Sequence, residues 1–308
     1  MPPKVSVIIP AYNPQAYLDV TIQSALAQTY ANFEIIIVDD GSTEDLSRFT
    51  NFDPKVLLIR QEHSGVSAAR NLGIARSSGE LIAFLDGDDI WLPTKLEQQA
   101  RLFELPEIAL AYTAFTLIDG DGKPLGAGWS DDTNSYKELL HGCSLCTSSV
   151  VIRRSVLDQV GIFDPLYLAA EDFDLWLRIA QRHEVRCLDA PLVLYRTHDN
   201  NSALQYVRTA SATINILMKH LSYAYSAGDT AAVSAAKTGI RRTRNTFAYQ
   251  AFDRCRKHFR RKEILGFTQH LWNTITLSRS TTIPIRSVFQ HQVLAQLSRM
   301  LSGKRIRQ

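Results

Sequence analysis

The chain has 308 residues, of which 45% are hydrophobic and 21% charged, an ordinary globular composition with enough chain for a large core and a second domain. Its longest apolar stretches, such as residues 34–38, are strand-sized and far short of the roughly 20 residues that a membrane helix needs. The N-terminal apolar run ends at Pro10, too soon for a signal peptide, so we expect a cytosolic chain.

The formal net charge of +3 is distributed unevenly along the chain. Residues 1–204 contain 16 Lys and Arg against 28 Asp and Glu, a balance of −12. Residues 205–308 contain 18 against 3, a balance of +15. Such asymmetry indicates two modules with different partners. We therefore predict one domain over residues 1–204 and a basic C-terminal region over residues 205–308.

The first hundred residues alternate between strand and helix patterns. β-branched apolar runs predict strands, and apolar residues at helical spacing predict the helices between them. The predicted strands are Val5–Ile9, Phe33–Val38, Val56–Ile59 and Leu81–Leu85, and the predicted helices are Tyr17–Gln28 and Ser64–Ser77. Because the strands are nearly continuous apolar runs, we predict an α/β fold whose mostly parallel sheet is flanked by helices on both faces.

Polar residues follow three of these strands in marked clusters. The clusters are Pro10–Asn13, Asp39–Ser42 and Asp86–Asp89. In open α/β sheets, ligands bind outside the carboxyl ends of the strands. The sequence therefore predicts that three loops meet at one crevice.

The cluster Asp86-Gly87-Asp88-Asp89 contains three carboxylates in four residues. Their mutual repulsion would be relieved by a divalent cation, and oxygen ligands suit magnesium or manganese. Gly87 lets the backbone turn sharply. The alternative is a solvated acidic turn. The position of the cluster after a hydrophobic strand, next to a second acidic strand end, favours the metal site.

The cluster Asp39-Asp40-Gly41-Ser42 has two compatible interpretations. A carboxylate at a strand end can accept hydrogen bonds from a nucleobase N–H or from ribose hydroxyls. Alternatively, the segment is a turn that caps the following helix, a role that Ser42 and Asp45 could serve. Both interpretations hold if one Asp contacts the ligand and the other residues form the turn.

Cys143 and Cys146 form a Cys-x-x-Cys pair that His141 precedes, which raises the question of a zinc or redox site. Cys187 and Cys255 stand alone, so no second ligand pair completes a structural zinc site. The pattern therefore favours small buried residues over a metal or redox role.

The segment from Glu171 to Arg178 reads as a helix with Leu175 on its buried side. Glu171 and Asp172 stand at its N-terminal end, where the helix dipole favours negative charge. They are either dipole-stabilising carboxylates or a general base in a cleft, and the local sequence leaves both open. A lone loop histidine is usually solvated, so His198 matters only as a further metal ligand.

After about residue 205 the pattern becomes helical throughout. One predicted helix runs from Leu204 to Tyr225, and Asp229 could cap a second. Two more are predicted near Ile264 and Thr282. We expect a wholly α-helical C-terminal region.

Dense basic runs lie within this region, at Arg241–Arg244 and Arg254–Lys262. They could dock on an anionic membrane or bind nucleic acid, but no nucleic-acid motif accompanies them. A solvated helical face is the simpler alternative. We expect no nucleic-acid partner and predict peripheral attachment at the cytosolic face of an anionic membrane.

Taken in order, several segments resemble the motifs of the family 2 glycosyltransferases. The resemblance covers roughly residues 4–202, and several motifs in register are more specific than any one alone. The matching segments are Val5–Asn13, Ile37–Thr43, Gly65–Asn71, Phe84–Asp89, Glu171–Asp172 and Tyr195–His198.

The resemblance implies a GT-A fold over residues 1–204 as the catalytic domain. It implies a metal-dependent enzyme that uses Mn or Mg and transfers sugar from a nucleotide-diphosphate sugar, a UDP-sugar above all, with inversion at the anomeric carbon. The acceptor would be a hydroxyl of a saccharide or lipid-linked saccharide, as in polysaccharide, lipopolysaccharide or other glycan assembly. The Gln-x-x-Arg-Trp segment of processive members is missing, so we expect addition of one sugar.

The resemblance also assigns roles to residues. Asp172 would be the general base, and the metal ligands would be Asp86, Asp88 and His198. Asp40 would be the contact to uracil. The full substrate-binding set that the motifs imply is Pro10, Ala11, Tyr12, Asn13, Asp39, Asp40, Arg70, Asp86, Gly87 and Glu171.

Other functions fit the sequence less well. A dinucleotide-dependent dehydrogenase needs a Gly-x-Gly-x-x-Gly turn after its first strand, and residues 10–14 contain none. A sugar nucleotidyltransferase has a Gly-rich first loop that is likewise missing. The main non-enzymatic alternative is a catalytically inactive nucleotide-sugar-binding protein on the same scaffold. Metal-dependent donor hydrolysis would distinguish it from an enzyme.

Overall fold

The computed structural model describes residues 2–14, 17–128, 135–142, 145–197 and 206–260, with the backbone alone for residues 254–260. The predicted helices near Ile264 and Thr282 lie outside these residues, as do His198 and Cys143. The chain divides into two compact units, residues 1–237 and 238–308. The predicted division into a catalytic domain and a basic region at residue 204 stays a prediction.

The first unit is built on strands and helices that alternate through its first hundred residues, as predicted. The strands are β1 (Val5–Ala11), β2 (Phe33–Asp39), β3 (Val56–Arg60), β4 (Leu81–Phe84), β5 (Ile90–Trp91), β6 (Ile108–Ile118), β7 (Pro124–Ala127), β8 (Val151–Arg153) and β9 (Glu184–Arg196). The helices up to the last strand are α1 (Tyr17–Leu26), α2 (Val66–Arg76), α3 (Lys95–Leu102), α4 (Tyr136–Leu139), α5 (Arg154–Val160) and α6 (Glu171–Ala180).

The strands form one mixed sheet in the order β3-β2-β1-β4-β8-β6-β9-β5, with β7 beside β6. The four strands β3, β2, β1 and β4 are parallel. β8 runs antiparallel to its two neighbours, and β9 pairs in parallel with β6. The predicted α/β fold, a sheet with flanking helices followed by a helical C-terminal region, is confirmed; the sheet is parallel from β3 to β4 and mixed beyond β4.

The middle position of β1 locates the crevice. The chain builds the sheet outward from β1 through β2 to β3, and then returns to place β4 on the opposite side of β1. The point where strand order reverses is where open α/β sheets bind ligands, since the loops on either side diverge. The loops after β1 and β4 therefore border a crevice at the carboxyl edge of the sheet.

The central strands β1, β2 and β4 are buried because they are apolar on both faces. Val7, Ile8 and Ile9 of β1 are fully buried, as are Ile35 and Ile37 of β2. A parallel sheet covered by helices on both sides requires such continuous apolar runs.

Two long helices follow the sheet, α7 (Tyr206–Ser226) and α8 (Thr230–Arg260). The carboxylate of Asp229 accepts a hydrogen bond from the backbone N–H of Ala232 at 2.9 Å, so it caps α8 as predicted. Within the part of the chain that the structure describes, no helix combines the length and the hydrophobicity required to cross a membrane.

Candidate active site

The loops after β1 and β2 are tied to each other. Asn13 has a left-handed backbone conformation with φ of 45°, which asparagine tolerates better than most residues. Its Oδ1 accepts hydrogen bonds from the N–H and the hydroxyl of Thr43 at 2.9 and 3.0 Å. The N–H of Asp40 donates to the carbonyl of Ala11 at 2.8 Å. Ala11 and Asn13 therefore hold two strand ends together, and their contact with a substrate stays a prediction.

Asp39 is buried and shapes the turn after β2. Its Oδ1 accepts a hydrogen bond from the N–H of Ser42 at 2.8 Å, and its Oδ2 accepts one from Arg60 Nη1 at 2.8 Å. Arg60 also donates through Nη2 to the carbonyl of Ser42 at 2.8 Å. These contacts fit the turn-forming interpretation of the cluster.

Asp40 directs its carboxylate at the segment between β3 and α2. Its Oδ1 accepts hydrogen bonds from Gln61 Nε2 at 2.6 Å and from the N–H of Ser64 at 2.8 Å. Its Oδ2 accepts one from the N–H of Gly65 at 2.9 Å and lies 3.0 Å from His63 Nδ1. A carboxylate has about four acceptor positions, so the local structure uses most of them. The predicted contact to uracil stays a prediction.

An exposed aromatic pair lies next to Asp40. Tyr12 stacks on His63 with ring centroids 4.2 Å apart and an interplanar angle of 26°. Gly41 makes the close approach of this segment feasible: its φ is +78°, and an added Cβ would lie 2.8 Å from the backbone nitrogen of His63. The pair offers the crevice a flat apolar wall of the kind on which a planar ring can stack.

Arg70 on α2 joins the two acidic ends of the crevice. It is buried, and its Nη2 lies 2.7 Å from Asp86 Oδ1 while its Nη1 lies 2.6 Å from Glu171 Oε1. Burial alone would lower the pKa of Arg70, but the two carboxylates outweigh that effect and raise it. The guanidinium is therefore a permanent cation that holds the loop after β4 against the start of α6.

The cluster after β4 divides into an inner and an outer part. Asp89 is fully buried, where it accepts hydrogen bonds from the Ser148 hydroxyl at 2.5 Å and from the N–H of Arg196 at 2.9 Å. Burial, followed by the charges of Asp88 and Asp86, raises the pKa of Asp89 well above its ordinary value. Asp86 and Asp88 are half-buried at the crevice. Asp89 thus anchors the loop, while Asp86 and Asp88 remain partly exposed.

Asp86 and Asp88 fit a divalent cation by their chemistry, since two partly exposed carboxylates offer the oxygen donors that Mg²⁺ and Mn²⁺ prefer. An added Cβ on Gly87 would lie 3.3 Å from the Pro10 carbonyl oxygen, so the loop packs against the end of β1. Among the residues the structure describes, no three His, Cys, Asp or Glu side chains form a metal-binding group. The predicted third ligand, His198, lies outside them, and the metal site stays a prediction.

Asp172 stands in the first turn of α6. Its Oδ2 accepts a hydrogen bond from the Thr147 hydroxyl at 2.7 Å, and its Oδ1 accepts one from the N–H of Phe173 at 2.7 Å. Burial, together with the charge of Glu171, raises the pKa of Asp172 to about 6, although Thr147 and Arg70 act in the opposite direction. Asp172 is therefore a carboxylate that is ionised at neutral pH and more basic than a solvated one.

The hydroxyl residues 147–149, which were not among the predicted site residues, form a 3-10 turn before β8. The Ser148 hydroxyl accepts a hydrogen bond from the N–H of Asp86 at 3.0 Å and donates to Asp89. The Ser148 carbonyl accepts one from Trp91 Nε1 at 2.7 Å. The signal was three consecutive hydroxyl residues directly before an apolar strand, where burial forces each hydroxyl to find a partner.

A buried lysine contacts this turn through Gln99. Lys95 is fully buried; its Nζ donates to Gln99 Oε1 at 2.6 Å and lies 4.0 Å from the centroid of the Trp91 ring. Gln99 donates in turn to the Ser149 carbonyl at 2.9 Å. Burial lowers the pKa of Lys95 well below its ordinary value. No feature of the local sequence distinguished Lys95 from a solvated helix residue.

Cys146 is a buried free cysteine, which fits the expectation of a small buried residue. Burial, with the charges of Asp89 and Asp86, raises the pKa of its thiol well above the ordinary value, so the thiolate that metals and oxidants require is disfavoured. Its predicted partner Cys143 lies outside the described residues.

Comparison with known sequences gives one family and several relatives. The sequence profile of the family described as Glycosyl transferase family 2 matches residues 6–161. An uncharacterized glycosyltransferase of Rickettsia bellii is 34% identical over 230 residues, which cover 73% of this chain. The chain spans about a third of that relative's length, 33%. The Escherichia coli UDP-Glc:alpha-D-GlcNAc-diphosphoundecaprenol beta-1,3-glucosyltransferase WfaP is 32% identical over 218 residues, which cover 69% of this chain and 85% of WfaP.

Solved structures give the same fold. Residues 1–349 of Staphylococcus aureus TarS in complex with UDP-GlcNAc superpose with a TM-score of 0.60 and 16% identity, over 87% of this chain and 90% of the TarS chain. At this identity the likeness concerns the fold alone. It agrees with the GT-A-type architecture predicted from the sequence.

Proposed function

The chain belongs to glycosyltransferase family 2, and from that premise we propose that it transfers one sugar from a UDP-sugar to a hydroxyl of a lipid-linked saccharide, with metal dependence and inversion. The observation that carries the proposal is the buried Arg70 bridge. It links Asp86, in the acidic cluster after β4, to Glu171, the residue before Asp172, although the two carboxylates are 85 residues apart in the chain.

The donor would lie along the loops after β1 and β2. The stacked rings of Tyr12 and His63 suit the flat face of a nucleobase. Backbone groups near Pro10 and in the loop after β2, which contains Asp40, would then supply polar contacts to the nucleoside. The UDP-sugar donors in the names of WfaP and of the TarS complex support a uridine nucleotide.

The donor diphosphate would lie at the carboxylates after β4. Asp86 and Asp88 would hold a magnesium or manganese ion there, with His198 as the predicted further ligand. When bound, the ion acts as a Lewis acid that stabilises the charge on the departing diphosphate. Arg70 keeps Asp86 in place because it is too deeply buried and too firmly paired to leave it.

Asp172 would act on the acceptor. Its carboxylate takes the proton from the attacking hydroxyl while the new bond forms between that oxygen and the anomeric carbon. The bond from the anomeric carbon to the diphosphate breaks on the opposite side, so an α-linked donor gives a β-linked product. General-base help of this kind is typically worth about 10²–10⁴-fold in rate. A pKa of about 6 leaves the base ionised at pH 7 without making it a weak one.

The acceptor is proposed from the relatives. WfaP and a second Escherichia coli enzyme, WfgD, carry names that specify a GlcNAc-diphosphoundecaprenol acceptor. WfgD is 30% identical over 65% of this chain. A sugar on a membrane lipid carrier is therefore the acceptor class that we propose, with a glycan under assembly as its destination.

The test separates binding from transfer. Nucleotide sugars are screened for binding and for metal-dependent hydrolysis, and then Asp172→Asn is compared with the wild type. We expect the variant to bind the donor normally and to transfer at least about 10²-fold more slowly.

Asp158→Asn is the matched control, because Asp158 is an exposed carboxylate on α5. An unimpaired Asp172→Asn enzyme would assign the base elsewhere. A wild type that binds donors but neither hydrolyses nor transfers them with any metal would favour the inactive binding protein.

A further inference from the structure

The connection between α5 and α6, residues 161–170, exposes three large aliphatic side chains to water; we call it the apolar loop. Leu166 is 87% exposed, Leu168 70% and Ile162 44%. Single exposed leucines are common on protein surfaces and need no explanation. Three within seven residues are more than isolated cases, and they directly precede Glu171 and Asp172 in the chain.

The base of the apolar loop is firmly held. Phe163 is buried and packs edge-on against Phe84 and Trp176, with ring centroids 5.2 and 6.1 Å apart. Asn71 on α2 clamps the backbone of Phe163 in both directions: its Nδ2 donates to the carbonyl at 2.8 Å, and its Oδ1 accepts from the N–H at 3.1 Å. The residue between the exposed side chains thus points inward and is fixed.

Further contacts set the conformation on either side. Arg178 donates through Nη1 to the Val160 carbonyl at 2.6 Å and through Nη2 to the Ile162 carbonyl at 2.8 Å. Asp164 accepts hydrogen bonds from the N–H of Leu166 on its side chain at 3.0 Å and from the N–H of Tyr167 on its carbonyl at 3.1 Å. These contacts close a turn whose outermost residue is Leu166. The exposure is therefore built into the fold.

A tyrosine and a lysine, whose ammonium also pairs with the Asp174 carboxylate at 3.0 Å, lie at the base of the apolar loop. Tyr167 is half-buried within the apolar loop, and the ammonium group of Lys219 lies 5.8 Å from the centroid of its ring. An aromatic residue beside a cation at the root of an apolar projection is the arrangement that suits the boundary between head groups and acyl chains. A projecting turn with exposed aliphatic side chains suits insertion into a fluid layer.

We propose that the apolar loop inserts Leu166, Leu168 and Ile162 into the surface of a lipid bilayer and so holds Asp172 next to a membrane-anchored acceptor. This inference rests on the proposed function for its acceptor. Asp172 lies six positions after Leu166 in the chain, a span of at most about 22 Å. The base is thereby kept close to head groups while the donor crevice remains in water.

The experiment is sedimentation of the full chain with vesicles of phosphatidylethanolamine and phosphatidylglycerol, at low salt and at 0.5 M NaCl. At the higher salt the Debye length is roughly 4 Å, so the attraction of the basic runs to the anionic lipid is screened. The double variant Leu166→Asp, Leu168→Asp should reduce the partition coefficient at high salt at least about tenfold. The control is Leu57→Asp, Leu105→Asp, since these leucines are 48% and 47% exposed on other parts of the fold. The control should bind as the wild type does.

A second readout separates this inference from the proposed function. Transfer to a soluble short-chain acceptor, or donor hydrolysis if no such acceptor works, should be unchanged in the apolar-loop variant. Leu166→Trp should shift its added fluorescence to the blue when vesicles are mixed in. Equal vesicle binding by the wild type and the double variant at high salt, or no shift for Leu166→Trp, would overturn the inference whatever the activity assays give. Loss of activity in the wild type itself would count against the proposed function alone.

Discussion

The raised pKa of Asp172 predicts how the rate of sugar transfer depends on pH. With a pKa of about 6, about 9% of the carboxylate is ionised at pH 5 and about 90% at pH 7, so kcat/KM should rise about tenfold over that interval. An aspartate at its ordinary value of 3.8 would be more than about nine-tenths ionised throughout. The acid limb of the profile therefore reports the burial of Asp172 and its proximity to Glu171.

Substitution of Thr147 tests this prediction, because its hydroxyl affects the pKa of Asp172. The hydroxyl donates to Asp172 Oδ2 at 2.7 Å and so stabilises the ionised form. Hydrogen bonds to charged groups are worth about 1.5–3 kcal/mol. Half-burial reduces the effect, so Thr147→Val should raise the pKa of Asp172 by about 1 unit and move the acid limb toward about pH 7. Thr147→Ser keeps the hydroxyl and should leave the limb in place.

The assay is UDP release at sub-saturating acceptor from pH 5 to 8.5, with circular dichroism at each pH to confirm folding. Because the base must be ionised, activity should fall as pH falls through the pKa. A wild-type profile that stays flat down to pH 5, or identical limbs for Thr147→Val and the wild type, would refute the assignment of Asp172 as the titrating base.

Three further predictions concern the surrounding residues. Asp88→Ala should abolish transfer with the fold intact, and near-normal activity in manganese would contradict the metal assignment. Arg70→Lys should lower kcat/KM about 10–100-fold, because an ammonium replaces only one of two charged hydrogen bonds; a change below about threefold would reduce the bridge to a packing role. Lys95 should make the free energy of unfolding rise with pH, at most about 1.4 kcal/mol per unit. Its folded pKa lies well below 10.5, so between the two values the unfolded state binds more protons. Urea unfolding of Lys95→Met at pH 7 and 9 should lose that slope, and an unchanged slope would refute the burial argument.

The sequence alone determined the α/β architecture and most of the crevice. Strand-sized apolar runs such as Val5–Ile9 cannot be placed anywhere except in a covered sheet, because exposing them would leave too much apolar surface in water. Polar clusters at the strand ends then had to lie on one edge. That reasoning predicts Asp86 and Asp88 as site residues, whereas Glu171 and Asp172 are assigned by resemblance to the family motifs. Their proximity is a property of the structure, while their roles stay predictions.

Tertiary structure decided which of the clustered residues face the crevice and which support it. Asp88 and Asp89 are adjacent in the chain, yet one is half-buried at the crevice and the other fully buried on Ser148. Local sequence cannot separate them, because burial depends on a turn that lies about 60 residues away. No local sequence pattern marks Arg70 as the link between the two acidic segments, since its two partners lie 16 and 101 residues further along the chain.

Contacts with sequence-distant residues also explain why Lys95 is buried and Leu166 is exposed. A lysine on a helix is normally solvated, and a leucine is normally buried. Each is reversed here because of distant contacts: Lys95 is enclosed by Trp91 and Gln99, and Leu166 is presented outward by a loop whose base is clamped from α2 by Asn71. The hydrophobicity of a residue predicts whether its side chain is buried or exposed. Only the packing of elements that are distant in sequence decides which residues depart from that expectation.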